Sequence, residues 1–176
     1  MKRWLVLSLL YFCSIAYAGP SEDFDALVAE VWDWEVRESP ERATYLGVDG
    51  FNDRWTDRSL SAYISRDAQR GDYLSSLAAI DSTALEPDDQ LSYAMLQRRL
   101  EEARKSYALG LHLMSINMRS GPQRQHGTAN YAPFNSENDF RDWISRMRGV
   151  PQLLAQHMEL MEEGVIRERV PAREVI

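Results

Sequence analysis

The stretch PDDQLSYAMLQRRLEEARKSYA, residues 87–108, decides the fold class. Pro87 suits the first helical position, where its missing N–H costs nothing, and Asp88 and Asp89 complement the positive end of a helix dipole. Leu96, Leu100, Ala103 and Tyr107 then recur at three- and four-residue steps, which is one face of a helix. Arg98, Arg99, Glu101, Glu102, Arg104 and Lys105 fall mostly on the other side, at spacings that allow ion pairs. A long helix with one apolar stripe must bury that stripe against others like it, so the flanking sequence should be helical too.

It reads that way in both directions. Upstream, Leu60, Tyr63, Ile64, Leu74, Leu77 and Ile80 predict a helix from Ser59 to about Ile80, with Gly71 as a site of kinking or breakage. Earlier still, Phe24, Leu27, Val28, Val31 and Trp34 follow a candidate N-cap at Ser21, and that helix should stop near Ser39-Pro40. The same pair can open a short second helix that ends before Gly47, and Gly47 to Arg58 reads as an ordered loop. Downstream of Ala108 the helical period fades. Leu109, Leu111 and Leu113 alternate as an extended segment would, and Gly121-Pro122 and Gly127 mark a long loop over residues 109–135. Ser136 and Asp139 have capping-box spacing ahead of Phe140, Trp143, Ile144 and Met147. Gly149 and Pro151 then break the pattern, and a last helix is expected from Pro151 to about Glu163, ending at Gly164. The expectation is an all-α, multi-helix array over residues 19–176, with one long loop and no internal repeat.

Residues 1–18 read as a secretory signal peptide. Lys2 and Arg3 form a basic start, Trp4 to Ile15 an apolar run, and Ala16-Tyr17-Ala18 the small-x-small triplet accepted for cleavage after Ala18. The run is shorter than the roughly 20 residues that span a membrane. The chain is therefore expected to be exported, periplasmic or extracellular, and free of the membrane after processing. The sole cysteine, Cys13, lies in this leader, so the processed chain has no thiol for a disulfide, a metal or a nucleophile. Losing Lys2 and Arg3 moves the net charge from -7 to -9. An acidic surface disfavours nucleic acid and anionic membranes as partners. The hydrophobic share of 44% and five tryptophans argue against disorder.

No catalytic motif emerges. A helical zinc site places two histidines four residues apart beside a glutamate, whereas His112, His126 and His157 are separated by 14 and 31 residues. No metal site is expected in this chain. The doublets Asp88-Asp89, Glu101-Glu102 and Glu162-Glu163 point about 100° apart on a helix and do not face one cleft as an acid–base pair. Asp49, Asp53 and Asp57 step by four, which does not match a calcium loop, and Asx-turns with a cap before Ser59 account for them. No serine sits in a nucleophile elbow and no glycine-rich phosphate loop is present. Tyr131 and Phe134, in the long loop near Phe140 and Trp143, are the candidate cleft-lining residues, with core packing as the competing reading. Catalytic, cofactor-binding and metal residues are each expected to be none.

Several blocks resemble the beginning of the bacterial domain-of-unknown-function 885 family. Pro40, Ala43, Thr44, Leu46 and Gly47 match its Pro-x-x-Ala-Thr-x-Leu-Gly block, followed by Asp57 and Ser59. Leu77, Ile80, Asp81, Leu85 and Asp89 resemble a second block, and Phe134, Asp139, Phe140, Arg146, Pro151 and Gly164 a third. The resemblance implies a secreted or periplasmic, largely helical protein related to zinc metallopeptidases. It also implies that family members are longer, with the histidine-and-glutamate zinc helix downstream of these blocks. Zinc and a peptide substrate would belong to such a full-length hydrolase, and no catalytic residue carries over to this chain. Val170 to Ile176 starts what reads as another helix, as expected of a portion of a longer domain. The reading is thus an N-terminal helical portion of an exported metallopeptidase-like protein, inactive alone. The alternative is a complete small periplasmic helical module that binds a peptide or partner protein.

Overall fold

The computed structural model describes residues 19–172, so the leader and its cleavage site lie outside the described residues. Six α-helices make up the architecture: α1 (Pro20–Glu38), α2 (Pro40–Leu46), α3 (Leu60–Ala78), α4 (Pro87–Ala108), α5 (Glu137–Arg148) and α6 (Val150–Ile166). Short 3-10 helices cover Ser82–Ala84, Leu111–Leu113 and Pro122–Asn130. The described residues contain no strand, and the fold is all-α.

Helices α1, α3 and α4 share one apolar core of Phe24, Leu27, Val31, Trp34, Tyr73, Leu77, Leu85, Leu96 and Leu100. The pairings fix the directions. Trp34 lies edge-on to Tyr73 and Glu38 pairs with Arg66, so α1 and α3 run antiparallel. Phe24 meets Tyr93 and Glu35 pairs with Arg99, so α1 and α4 run parallel. The Tyr93 hydroxyl donates to the Leu77 carbonyl at 3.0 Å, beside the bond that carbonyl takes from Ile80 N, and so ties α4 to the end of α3. The stripe of α4 does what its period dictates, and Arg98 pairs with Glu102 on the solvent face.

Most helix ends sit where local chemistry places them. Gly47 adopts φ +73° at the end of α2, a left-handed cap that residues with a Cβ resist. Ser59 caps α3 by accepting from Ala62 N, and Ser136 with Asp139 forms a complete capping box on α5. Several features differ from the sequence reading, among them the end of α3 at Ala78 and the start of α6 at Val150. The first helix begins at Pro20 with Gly19 ahead of it, one residue before Ser21, because proline is already set for a first turn. Helix α3 runs unbroken through Gly71, above which the Arg104 guanidinium lies within 3.2 Å of where a Cβ would be. The alternating leucines form a 3-10 turn rather than an extended segment, since Gly110 at φ +71° reverses the chain. Helix α6 passes Gly164 and ends at Ile166. That glycine serves close approach, because a Cβ there would stand 2.8 Å from the Arg169 carbonyl oxygen and 3.1 Å from that of Leu113.

A second cluster joins α2, the 47–58 loop, α5 and α6 around an arginine. Arg146 is fully buried. Its Nε donates to the Arg54 carbonyl at 2.9 Å, and its Nη2 to the Phe51 carbonyl at 2.6 Å and the Thr44 hydroxyl at 2.9 Å. Its guanidinium lies 5.2 Å from the Trp55 ring centroid and 5.9 Å from that of Trp143, which compensates an Nη1 that has no hydrogen-bond acceptor. Trp55 in turn donates to the Arg146 carbonyl at 2.7 Å. A planar five-donor cation suits this task, since loop carbonyls converge on it from several directions.

Candidate functional site

Three segments meet where the long loop crosses the two halves of the molecule. The end of the 47–58 loop brings Arg58, the start of α3 brings Tyr63, and α6 brings His157. The chain from Leu111 to Gln125 arches over them and borders an open cavity of about 410 Å³. Local hydrogen bonds shape the arch. Asn117 Oδ1 accepts from the backbone N–H groups of Arg119 and Ser120, and Gln123 Nε2 donates back to the Asn117 and Ser120 carbonyls. Gly121 at φ +134° permits the turn, which sets Arg119 and Arg124 at the cavity.

The floor is fixed by α6. Gln156 accepts from the Arg58 backbone N–H at 2.9 Å and donates to Asp57 at 2.7 Å, so one side chain ties the loop end to the helix that carries His157. Burial would raise the Asp57 carboxyl, but hydrogen bonds from Ser59 and Gln156 and the Arg66 charge bring it below its ordinary value.

Two histidines line the cavity. His157 is 3% exposed and neither ring nitrogen has a hydrogen-bond partner among the described residues. Burial, and then the Arg58 charge, push it down to about 4 against the opposing pull of Glu41. It is therefore a neutral imidazole near pH 7, with one N–H to give and one lone pair to offer. His112 sits between Tyr63 and Tyr107, with ring centroids 4.7 and 4.8 Å away, and its Nδ1 is also unpartnered. Burial and the Arg167 charge lower it as well. Arg58 Nε is buried without an acceptor, and its nearest carboxylate oxygen, on Glu41, is 3.8 Å from Nη2.

His126 lies elsewhere. It lines a small separate cleft with Trp55 and Trp143, and its Nδ1 is 2.9 Å from the Gln123 carbonyl. The three histidines thus do not converge. Tyr131 stands edge-on to Tyr45 at 4.6 Å, and Phe134 packs on Phe140 and Trp143. Neither lines the 410 Å³ cavity. Of the acidic array, Asp57 forms the expected Asx bond to Ser59 N, Asp53 pairs with Arg54, and Asp49 is exposed. Sequence reasoning missed Arg58, Arg119, Arg124 and the pairing of His112 with His157. The unpaired basic residues of the 119–124 segment, in an acidic chain, were the one available signal.

Among the described residues, no Asp or Glu lines the cavity. Neither imidazole there has a carboxylate to orient it, and no hydroxyl is activated by one. Zinc does not fit this donor set. Two imidazoles facing three guanidiniums would repel a dication, and among the described residues no three His, Cys, Asp or Glu side chains form a group that could hold a metal. What the arrangement can do is accept hydrogen-bonding groups of a ligand.

Beside it, sharing Met114 and Ser115 with it, runs an apolar groove of about 380 Å³ lined chiefly by Ile116, Met161, Val165, Val170 and Pro171. Among the described residues, no helix is long and apolar enough to cross a membrane.

The model of a family described as "Bacterial protein of unknown function (DUF885)" matches residues 40–176. The match spans well over half of the chain, which therefore belongs to that family. It takes in every residue of the cavity and begins at the first residue of α2. No curated protein matches the chain.

Proposed function

We propose that this DUF885 member is the substrate-side helical portion of an exported protein related to zinc metallopeptidases, holding no catalytic set of its own. In this reading the cavity under residues 111–125 forms part of a wall along which a peptide lies. The open cavity carries it: among the described residues hydrogen-bonding side chains line it with no carboxylate between them, a composition for binding rather than for acid–base chemistry. The apolar groove beside it supports the same reading, because a surface of this kind is suited to contact with further protein. Export rests on the leader-like residues 1–18.

The test is to incubate the purified chain with a mixture of short peptides, following retention and cleavage together. Retention without cleavage, and zinc far below one equivalent by elemental analysis, are the expected results. Chelator-sensitive hydrolysis with stoichiometric zinc would overturn the absence of a catalytic set, and failure to retain any peptide would overturn the wall.

A rival reading, a self-sufficient binding module, draws support from the closed core of α1, α3 and α4. A single cooperative thermal transition from a soluble monomer that binds no hydrophobic dye would favour it.

A further inference from the structure

We infer that the cavity beneath residues 117–125 is an oxyanion site, in which Arg58, Arg119, Arg124 and His157 receive a carboxylate or phosphate group. The charge distribution is the first argument. The chain carries 27 acidic and 20 basic residues, yet the cavity gathers three arginines and, among the described residues, no acid. Arg119 and Arg124 pair with no carboxylate among the described residues, although nine ion pairs occupy other side chains. Arg58 has only Glu41 beside it, 3.8 Å away, and Arg119 and Arg124 have no such partner among the described residues, so the cations repel one another and an anion among them reverses the sign of that term. Guanidinium groups also match the planar geometry of a carboxylate or phosphate with two parallel hydrogen bonds.

The second argument is independent of charge. His157 is 97% removed from solvent with both nitrogens unpartnered, and Arg58 Nε is in the same condition. A buried polar group left without a partner is costly, so such groups are retained where something else completes them. A neutral imidazole donates one N–H to an anion without adding charge to a crowded cationic site. Ligand oxygen atoms satisfy the Nε–H of Arg58 and the N–H of His157 at once. The volume, about 410 Å³, exceeds that of the anionic group alone and leaves room for one or two residues behind it.

This inference deepens the peptide-wall reading by assigning the cavity to a terminal or side-chain carboxylate, and free phosphate shares the required chemistry. The deciding experiment records the imidazole nitrogen signals of His112 and His157 in the full chain at low salt. Trialanine, its C-terminal amide and inorganic phosphate are the three titrants. Trialanine and phosphate should both move the His157 signals while the amide does not. Arg119→Gln with Arg124→Gln should weaken both anions about tenfold or more, through loss of charge-assisted hydrogen bonds. Both positions are exposed, so the variant keeps its fold. Phosphate binding without trialanine binding would uphold the oxyanion site and sink the peptide wall. Equal binding of trialanine and its amide would uphold the wall and overturn the oxyanion site. Silence toward both anions, or an unchanged double variant, would also overturn it.

Discussion

Replacing Arg146 with methionine should cost about 4 kcal/mol and release the 47–58 loop before anything else unfolds. The side chain makes three good hydrogen bonds, at 2.9 Å to Arg54 O, 2.6 Å to Phe51 O and 2.9 Å to Thr44 Oγ1. Hydrogen bonds from a charged donor contribute about 1.5–3 kcal/mol each. Three of them would exceed 4 kcal/mol, but methionine also removes the desolvation cost of a buried cation, which offsets part of the loss. The two backbone carbonyls are then left facing an apolar side chain, and the stacking on Trp55 and Trp143 is lost. A loss near 4 kcal/mol is a large share of the roughly 5–15 kcal/mol that holds a domain of this size together. Arg146→Lys keeps the charge but cannot span divergent acceptors with one ammonium, so it should lose at least half as much. Urea titration measures the total, and native-state hydrogen exchange localises it. Amides of Phe51 to Trp55 should exchange through a local opening while those in the α1–α3–α4 core keep their protection. A loss below about 1 kcal/mol, or protection lost uniformly across all helices, would refute the view that this side chain organises the loop.

Stability should fall between pH 6.5 and about 4 because His157 is neutral in the fold and protonates more readily once unfolded. Above 6.5 both states are neutral and the contribution is complete. As pH drops toward 4 the unfolded chain gains a proton that the native site refuses, at a total cost of about 3 kcal/mol. Arg58 reinforces that refusal and Glu41 opposes it, while His112, also lowered, adds in the same direction. His157→Gln should therefore flatten most of the slope in pH-dependent urea unfolding, and an unaltered slope would contradict the assignment. Gly164→Ala should destabilise by about 1–3 kcal/mol, since the added methyl meets the backbone oxygens of Arg169 and Leu113. Ordinary helix propensity predicts a gain of about 1 kcal/mol instead, so the sign of the change in thermal midpoint decides between them. Ser136→Ala should cost about 1 kcal/mol by removing the cap on α5, seen as a lower urea midpoint with an unchanged slope.

Helix content and most helix ends were written locally. A proline in the first turn, a serine three residues before an aspartate and a glycine past the last apolar position each act within one turn of chain, so their effects survive any tertiary arrangement. At Gly71 the sequence predicts a kink or a break and the helix does not break; at Gly164 it predicts a stop and the helix continues. A glycine in a helix reads as a weak point until the neighbour that needs its missing Cβ is known. At Gly164 those neighbours are the carbonyls of Leu113 and Arg169, whereas at Gly71 only the tip of the Arg104 side chain comes close. The third resemblance block includes Arg146 and Gly164, but sequence could not reveal that one is buried among carbonyls and the other is a point of close contact.

The candidate site was hardly legible at all. His112 and His157 carry no mutual spacing signal, and Arg58, Arg119 and Arg124 belong to loop segments that periodicity does not describe. Local patterning settled that this chain would be helices joined by capped turns, because hydrogen bonds within a turn depend only on neighbours. Only the placing of α6 against the 111–113 and 122–130 turns, and the arch of residues 111–125, gathered three guanidiniums and two neutral imidazoles around one space. That gathering depends on how rigid elements meet, and the distances involved are set by side chains remote in the chain.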